Sequence, residues 1–203
     1  MDLEPIILNL FEEHLMATQQ SIEFISPAIS NSAEAIVQAL VSDHKIIICG
    51  SGEGELIAQH LSDSLLFGME RERPALPAIF ISGYPLIPNK FPPSSDTEHL
   101  SLQIKALGRP GDMLVLISSD GNSENLIHAA TSAQDKGLQI IAFTGRDGGL
   151  LSESLSEHDI EVRVPSASVA RVSEIHWFVA HCLTDLVDNM LFGAENQVFT
   201  PIP

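Results

Sequence analysis

The sequence predicts an α/β fold, a three-layer sandwich with a five-stranded parallel sheet of the flavodoxin or Rossmann-like kind, preceded by N-terminal helices. Three observations lead there. Five short apolar runs are bounded by Gly, Pro, Ser or Asp; segments of helical periodicity separate several of them; and 203 residues, 44% of them hydrophobic, suffice for one sizeable core.

In chain order, residues 4–24 carry Ile7, Leu10, Phe11, His14, Leu15 and Ile22 at helical spacing, and 27–42 continue with Ile29, Ala33, Ile36, Val37 and Leu40. These read as two amphipathic helices forming an extension over 1–43. The apolar runs are "KIIIC" (45–49), "AIFIS" (78–82), "MLVLIS" (113–118), "QIIAFT" (139–144) and "IEVRV" (160–164). Helical segments fall at about 55–67, 96–107, 123–136 and 168–192. Strands and helices alternating at this length make a parallel sheet covered on both faces, and place the α/β domain at 44–193. The proline-rich 83–95, with Tyr84, Pro85, Pro88, Pro92 and Pro93, opposes a regular helix and reads as a rigid loop over the crevice. Residues 194–203 read as a loose tail. On the last helix, Trp177, Phe178, Leu183, Leu186, Val187, Met190, Leu191 and Phe192 surround the axis, which implies burial on more than one side.

Composition narrows the function. A formal charge of −17 with ten Lys and Arg in all argues against a nucleic-acid surface, which needs clustered cations. Cys49 and Cys182 have neither metal nor secreted-staple spacing. No basic leader precedes "MDLEPIILNLFEEHL" and no apolar run approaches membrane-spanning length, so a cytoplasmic protein without membrane contact is expected.

Chemistry is expected in the loops after the strands. Gly50-Ser51-Gly52-Glu53-Gly54 is not a dinucleotide fingerprint: its third glycine comes one place early, and Glu53 and Glu55 put carboxylates where a pyrophosphate would lie. The loop Ser118-Ser119-Asp120-Gly121-Asn122-Ser123 either presents hydroxyls and N–H groups to an anion or only caps the following helix, with Glu124 complementing its dipole. Asp120 opposes the anion. Arg171 and Glu174, three residues apart, read as a structural ion pair, and Arg146 is the only cation of the turn "GRDGG". His176 lies about 140° round the helix from His181, so these two form no local metal pair.

The blocks "IIICGSGEGELIAQHLSDSL", "ERPALPAIFIS", "LGRPGDMLVLISSDGNSENLIHAA", "GLQIIAFTGRDGG" and "ARVSEIHWFVAHCLTDLVDNMLF" resemble, in order, those of the SIS (sugar isomerase) domain family. The resemblance runs over residues 5–192, with 83–95 poorly matched. It implies the SIS fold and a sugar-phosphate site at Ser51, Ser118, Ser119, Asn122 and Ser123, with Gly54 and Asp120 standing where the family's isomerases carry serine. It also implies that His60, Ser64, Ser173 and His181 occupy the isomerases' zinc and proton-transfer positions. Only the two histidines match; a glutamate and a glutamine are replaced by serines.

Within the family, Ser64 and the last helix resemble the branch of DnaA initiator-associating proteins (DiaA), while His181 sides with the phosphoheptose isomerases. The expectation that follows is a non-catalytic homotetrameric adaptor, a dimer of dimers without cofactor. It would bind the replication initiator DnaA and promote initiation of replication, with Leu191 and Phe192 as partner contacts. The alternatives are an isomerase of sedoheptulose 7-phosphate, using His60 and His181 as catalytic residues and zinc ligands, and a sugar-phosphate sensor.

Overall fold

The computed structural model describes residues 1–84 and 96–193. The elements run α1 (Glu4–Val41), β1 (Ile46–Gly50), α2 (Glu53–Phe67), β2 (Ala78–Phe80), a 3-10 turn (Asp96–Glu98) leading into α3 (His99–Leu107), β3 (Met113–Ile117), α4 (Glu124–Asp135), β4 (Gln139–Gly145), α5 (Gly149–Ser154), β5 (Ile160–Val164) and α6 (Val169–Phe192). The strands form one parallel sheet in the order β2-β1-β3-β4-β5. This is the predicted α/β class, with five strands as expected.

The pleat divides the core. Ile46, Ile48, Val115, Ile117, Ile141 and Phe143 pack on one face with α1, α2 and α6, whereas Ile47, Cys49, Leu114, Leu116, Ile140 and Ala142 pack on the other with α3, α4 and α5. Successive side chains of a strand point to opposite faces, so continuous apolar runs such as "IIIC" feed both layers at once.

Two elements depart from the expected pattern. A single helix, α1, replaces the two expected N-terminal helices and runs through Pro27. Proline removes one N–H and costs about 3 kcal/mol in a helix interior. The apolar stripe nevertheless keeps its phase across it, because Ile25, Ser32, Ala33, Ile36 and Ala39 are all buried. The first half of α1 differs: Ile6, Ile7, Leu8, Leu10, Phe11, Leu15 and Met16 are exposed. The second departure is α5, which follows the expected turn at "GRDGG", where Arg146 takes a left-handed φ of 56°.

The segment between α2 and β2 is fastened by arginines. Arg73 donates to the carbonyls of Leu65 (2.7 Å) and Ser64 (2.8 Å), capping a helix whose last turn has no basic residue. Its Nε lies 2.7 Å from Asp188 Oδ1, with both side chains buried. Neither atom meets hydrogen-bond geometry, so that contact is ionic rather than directed. Among the described residues, no helix is long and apolar enough to cross a membrane. Of the expected loop at 83–95, residues 85–95 lie outside the described residues, as does the expected tail at 194–203.

Candidate functional site

The strand order reverses at β1: the chain moves to one side of it for β2 and to the other for β3. Ligand crevices in open α/β sheets form at such switch points, beyond the carboxyl ends of the strands. The loops after β1 and β3 meet here through the backbone, with the Ser51 N–H donating to the carbonyl of Ile117 (3.0 Å). A Cβ on Gly54 would collide with that same carbonyl. A serine, which the resemblance implies for the isomerases at this position, would require this backbone to shift.

In the loop Ser118–Ser123, Ser118 and Asn122, two of the donors expected to face an anion, have an internal partner. The Ser118 hydroxyl is 3.3 Å from Asp120 Oδ1 and donates to it, and the N–H of Asn122 donates to the same oxygen at 3.0 Å. The Gly121 N–H donates to the Ser118 hydroxyl (3.0 Å). Asn122 Nδ2 donates to the Asp120 carbonyl (2.9 Å), while its Oδ1 accepts from the Leu150 N–H (3.2 Å), tying the loop to α5. Ser123 takes the N-cap position of α4 without a side-chain cap bond. No hydrogen bond from the hydroxyls of Ser51, Ser119 or Ser123 forms among the described residues. On the neighbouring side Glu55 accepts from the Ser82 hydroxyl (2.5 Å), linking α2 to the loop after β2. Burial, with the Glu55 carboxylate second, holds the Cys49 thiol far above its usual range, so Cys49 is no nucleophile.

A second cluster joins α2 to α6. His60 and His181 are 121 residues apart, yet their Nε2 atoms approach to 3.0 Å with the rings edge to face. Each alone reads as a hydrogen-bonded core histidine; together they form a part-buried imidazole pair. Trp177, one turn before His181, packs against His60 with ring centroids 4.9 Å apart. The Ser64 hydroxyl lies 3.5 Å from His60 Nε2, and Ser64 and Ser173 are both buried. Burial lowers the pKa of His60, the neighbouring His181 lowers it further, and Asp63 partly opposes both.

The zinc that the SIS resemblance implies can be tested against these donors. Catalytic zinc sites use three protein ligands drawn from His, Cys, Asp and Glu, leaving a fourth position open. Here there are two imidazoles and two neutral serines, and no group of three or more His, Cys, Asp or Glu suited to a metal forms among the described residues. Asp63 and Asp185 influence the pair through their fields without completing a donor set. The residues do not fit the metal.

The remaining highlighted residues have structural partners. His176 is fully buried, 3.1 Å by Nε2 from the Thr144 carbonyl and packed on Phe143; burial pushes its pKa down to about 4. Arg171 and Glu174 pair at 2.8 Å, as expected, and His14 of α1 joins the same carboxylate at 2.7 Å. Arg146 reaches the Ala167 carbonyl rather than extending outward. Leu191 packs against the core, while Phe192 is exposed with Arg71 over its ring at 5.8 Å. Sequence reasoning missed Trp177 as a neighbour of His60 and the Ser82–Glu55 link. Helical spacing held the first signal, since positions 177 and 181 share one face.

Comparison with known proteins places this geometry. The SIS domain family profile matches residues 11–145. The phosphoheptose isomerase of Chromohalobacter salexigens is 43% identical over 198 residues, 96% of this chain and 99% of the relative. That of Halorhodospira halophila is 42% identical over 197 residues, 95% and 98% of the two chains. Among solved structures, a phosphoheptose isomerase from Francisella tularensis superposes with a TM-score of 0.83 at 33% identity, covering 93% of this chain and all of that one. These findings overturn the expectation of a non-catalytic DnaA-binding adaptor: relatives matched over nearly the whole chain are isomerases, and the likeness of the last helix does not outweigh them. The chain belongs to the SIS domain family.

Proposed function

We propose that this protein is a sugar-phosphate isomerase interconverting the ketose and aldose forms of a seven-carbon sugar phosphate, sedoheptulose 7-phosphate being the ketose. The observation that carries the reading is the His60–His181 contact on two helices flanking the crevice sheet, in a chain whose relatives at 42–43% identity are named phosphoheptose isomerase. His60 lies two turns into α2, about 10 Å along the helix from the crevice end. It is only partly buried.

Isomerisation moves one proton between C1 and C2 and another between their oxygens, through an enediol. His60 takes a proton from C1 of the ketose while His181 protonates the C2 oxygen. The enediol then receives the proton from His60 at C2 and returns its O1 proton to His181, giving the aldehyde. With the Nε2–H of His60 donating to Nε2 of His181, the free Nδ1 lone pair of His60 serves as the base and the Nδ1–H of His181 as the acid in these steps. The lowered pKa of His60 keeps its imidazole neutral near pH 7, ready to act as a base. Ser51, Ser118, Ser119, Asn122 and Ser123 hold the phosphate end, with Asp120 as the group it must displace.

The protein works in the cytoplasm as a homotetramer, a dimer of dimers. The exposed apolar row of α1 supports this assembly, as does a groove of about 470 Å³ between α1 and α6, lined by Ile22, Ile25, Ile29, Ile175, Phe178 and Leu186. The deciding experiment follows aldose formation from sedoheptulose 7-phosphate with no added metal. Turnover that disappears in His60→Ala establishes the reading. Saturable binding without turnover replaces it with a sugar-phosphate sensor, and the absence of both overturns it.

A further inference from the structure

We infer that the His60–His181 pair is a metal-free centre, in which a directly shared hydrogen bond takes the place of a metal ion. The inference rests on the reading of this pair as the reacting site, and concerns how its two imidazoles are held.

Three observations carry it. First, the Nε2 atoms are 3.0 Å apart, the spacing of an N–H···N hydrogen bond. The ring that donates has its Nε2 lone pair taken by a proton and cannot ligate through that atom. A metal would need both lone pairs at once.

Second, the donor set is short. Ser64 stands four residues after His60, on the same helical face, where a carboxylate would complete a His-x-x-x-Glu pair. Its hydroxyl is 3.5 Å from His60 Nε2 and carries no charge to balance a dication. Ser173 lies eight residues before His181, a little over two turns along α6, and its short hydroxyl forms no hydrogen bond to either imidazole among the described residues.

Third, the nearby carboxylates do not complete a donor set: Asp63 and Asp185 act on the pair only through their fields. Both serines are buried, Trp177 covers a side of His60, and no cluster of three ligating side chains forms among the described residues. Two imidazoles without a third ligand, in a partly desolvated cleft, suit a shared proton better than a divalent ion.

The test counts metal rather than turnover. The full-length protein is equilibrated with excess zinc, desalted and analysed for metal by mass spectrometry. Less than about a tenth of a zinc per chain is expected, rising to about one in the Ser64→Glu/Ser173→Gln double variant. A wild-type protein that retains about one zinc per chain, lost in His181→Ala, overturns the inference. A folded double variant that stays empty overturns the assignment of the two serines as its cause.

A second measurement stands even if the double variant misfolds. Trp177 is the only tryptophan, and it lies against His60. Its emission in the wild type is expected to be indifferent to zinc, and a change saturating at one equivalent overturns the inference. Failure of sedoheptulose 7-phosphate turnover would strike the isomerase reading while leaving the metal count to stand or fall by itself.

Discussion

The loop Ser118–Ser123 and the pair His60–His181 serve one proposed reaction, yet they depart from the isomerase pattern in opposite senses. The loop holds a carboxylate where an anion is to be received, and that carboxylate already takes the Ser118 hydroxyl and the Asn122 N–H. The helix pair has no carboxylate where one is needed to hold a cation. Negative charge stands where phosphate must bind and is missing where a metal would bind. The difference teaches that the two regions need separate tests: binding is set by competition with Asp120, and chemistry by two imidazoles.

The largest expected effect comes from removing the chemistry alone. His60→Ala should lower turnover by about 10²- to 10⁴-fold while leaving sugar-phosphate affinity within about twofold by calorimetry. A parallel loss of affinity would merge the two regions into one.

Next comes a residue that belongs to neither region. His176 is buried with its pKa near 4, against 6.5 for an ordinary histidine. Because the unfolded chain takes up the proton first, its contribution to stability is whole above about pH 6.5. It is lost as pH falls and levels off near pH 4, for a total of about 3 kcal/mol. Urea unfolding between pH 7 and 4 should show this slope, and His176→Gln should flatten it. An unchanged slope would assign the acid sensitivity to other groups.

Gly54→Ser should destabilise the fold by about 1–3 kcal/mol, because the new Cβ meets the Ile117 carbonyl. Thermal unfolding checks this; a neutral result would mean that the contact between the first and third loops yields easily.

The smallest effect sharpens the comparison most. Asp120→Ser should tighten sugar-phosphate binding by about tenfold, through removal of a like charge and release of two donors. Calorimetry with sedoheptulose 7-phosphate measures it directly. Unchanged affinity would show that the carboxylate swings clear of the ligand at no cost.

Much of the frame was legible in the sequence. The five strands were readable because each apolar run is short and bounded by turn residues; the central three are buried on both faces, whereas the edge strands β2 and β5 are only partly covered. Pro27 suggested a break that the structure lacks, since a stripe in phase on both sides holds α1 together more strongly than one lost hydrogen bond weakens it. Helix α5 escaped notice because its six residues, opening with glycine, carry too little periodicity. At the site, the sequence put His60 and His181 on helices but could not bring them together, because only the packing of α2 against α6 closes that distance. Asp120 was legible as an obstacle to an anion; that its oxygen would collect the loop's donors depended on backbone conformation. The charge of the chain was legible throughout, but the choice between adaptor and isomerase was not, because the last helix and His181 resemble different branches.

The crevice loops touch one another by main chain. A side chain at Gly121 would strike the carbonyl of Gly148, one at Gly145 that of Ser119, and one at Gly149 that of Asp120. The loops after β3 and β4 are thus locked together by atoms that every amino acid shares. Such a frame lets chemistry be rewritten without moving the scaffold. A serine can become Asp120, or a metal ligand Ser64, and the crevice keeps its shape.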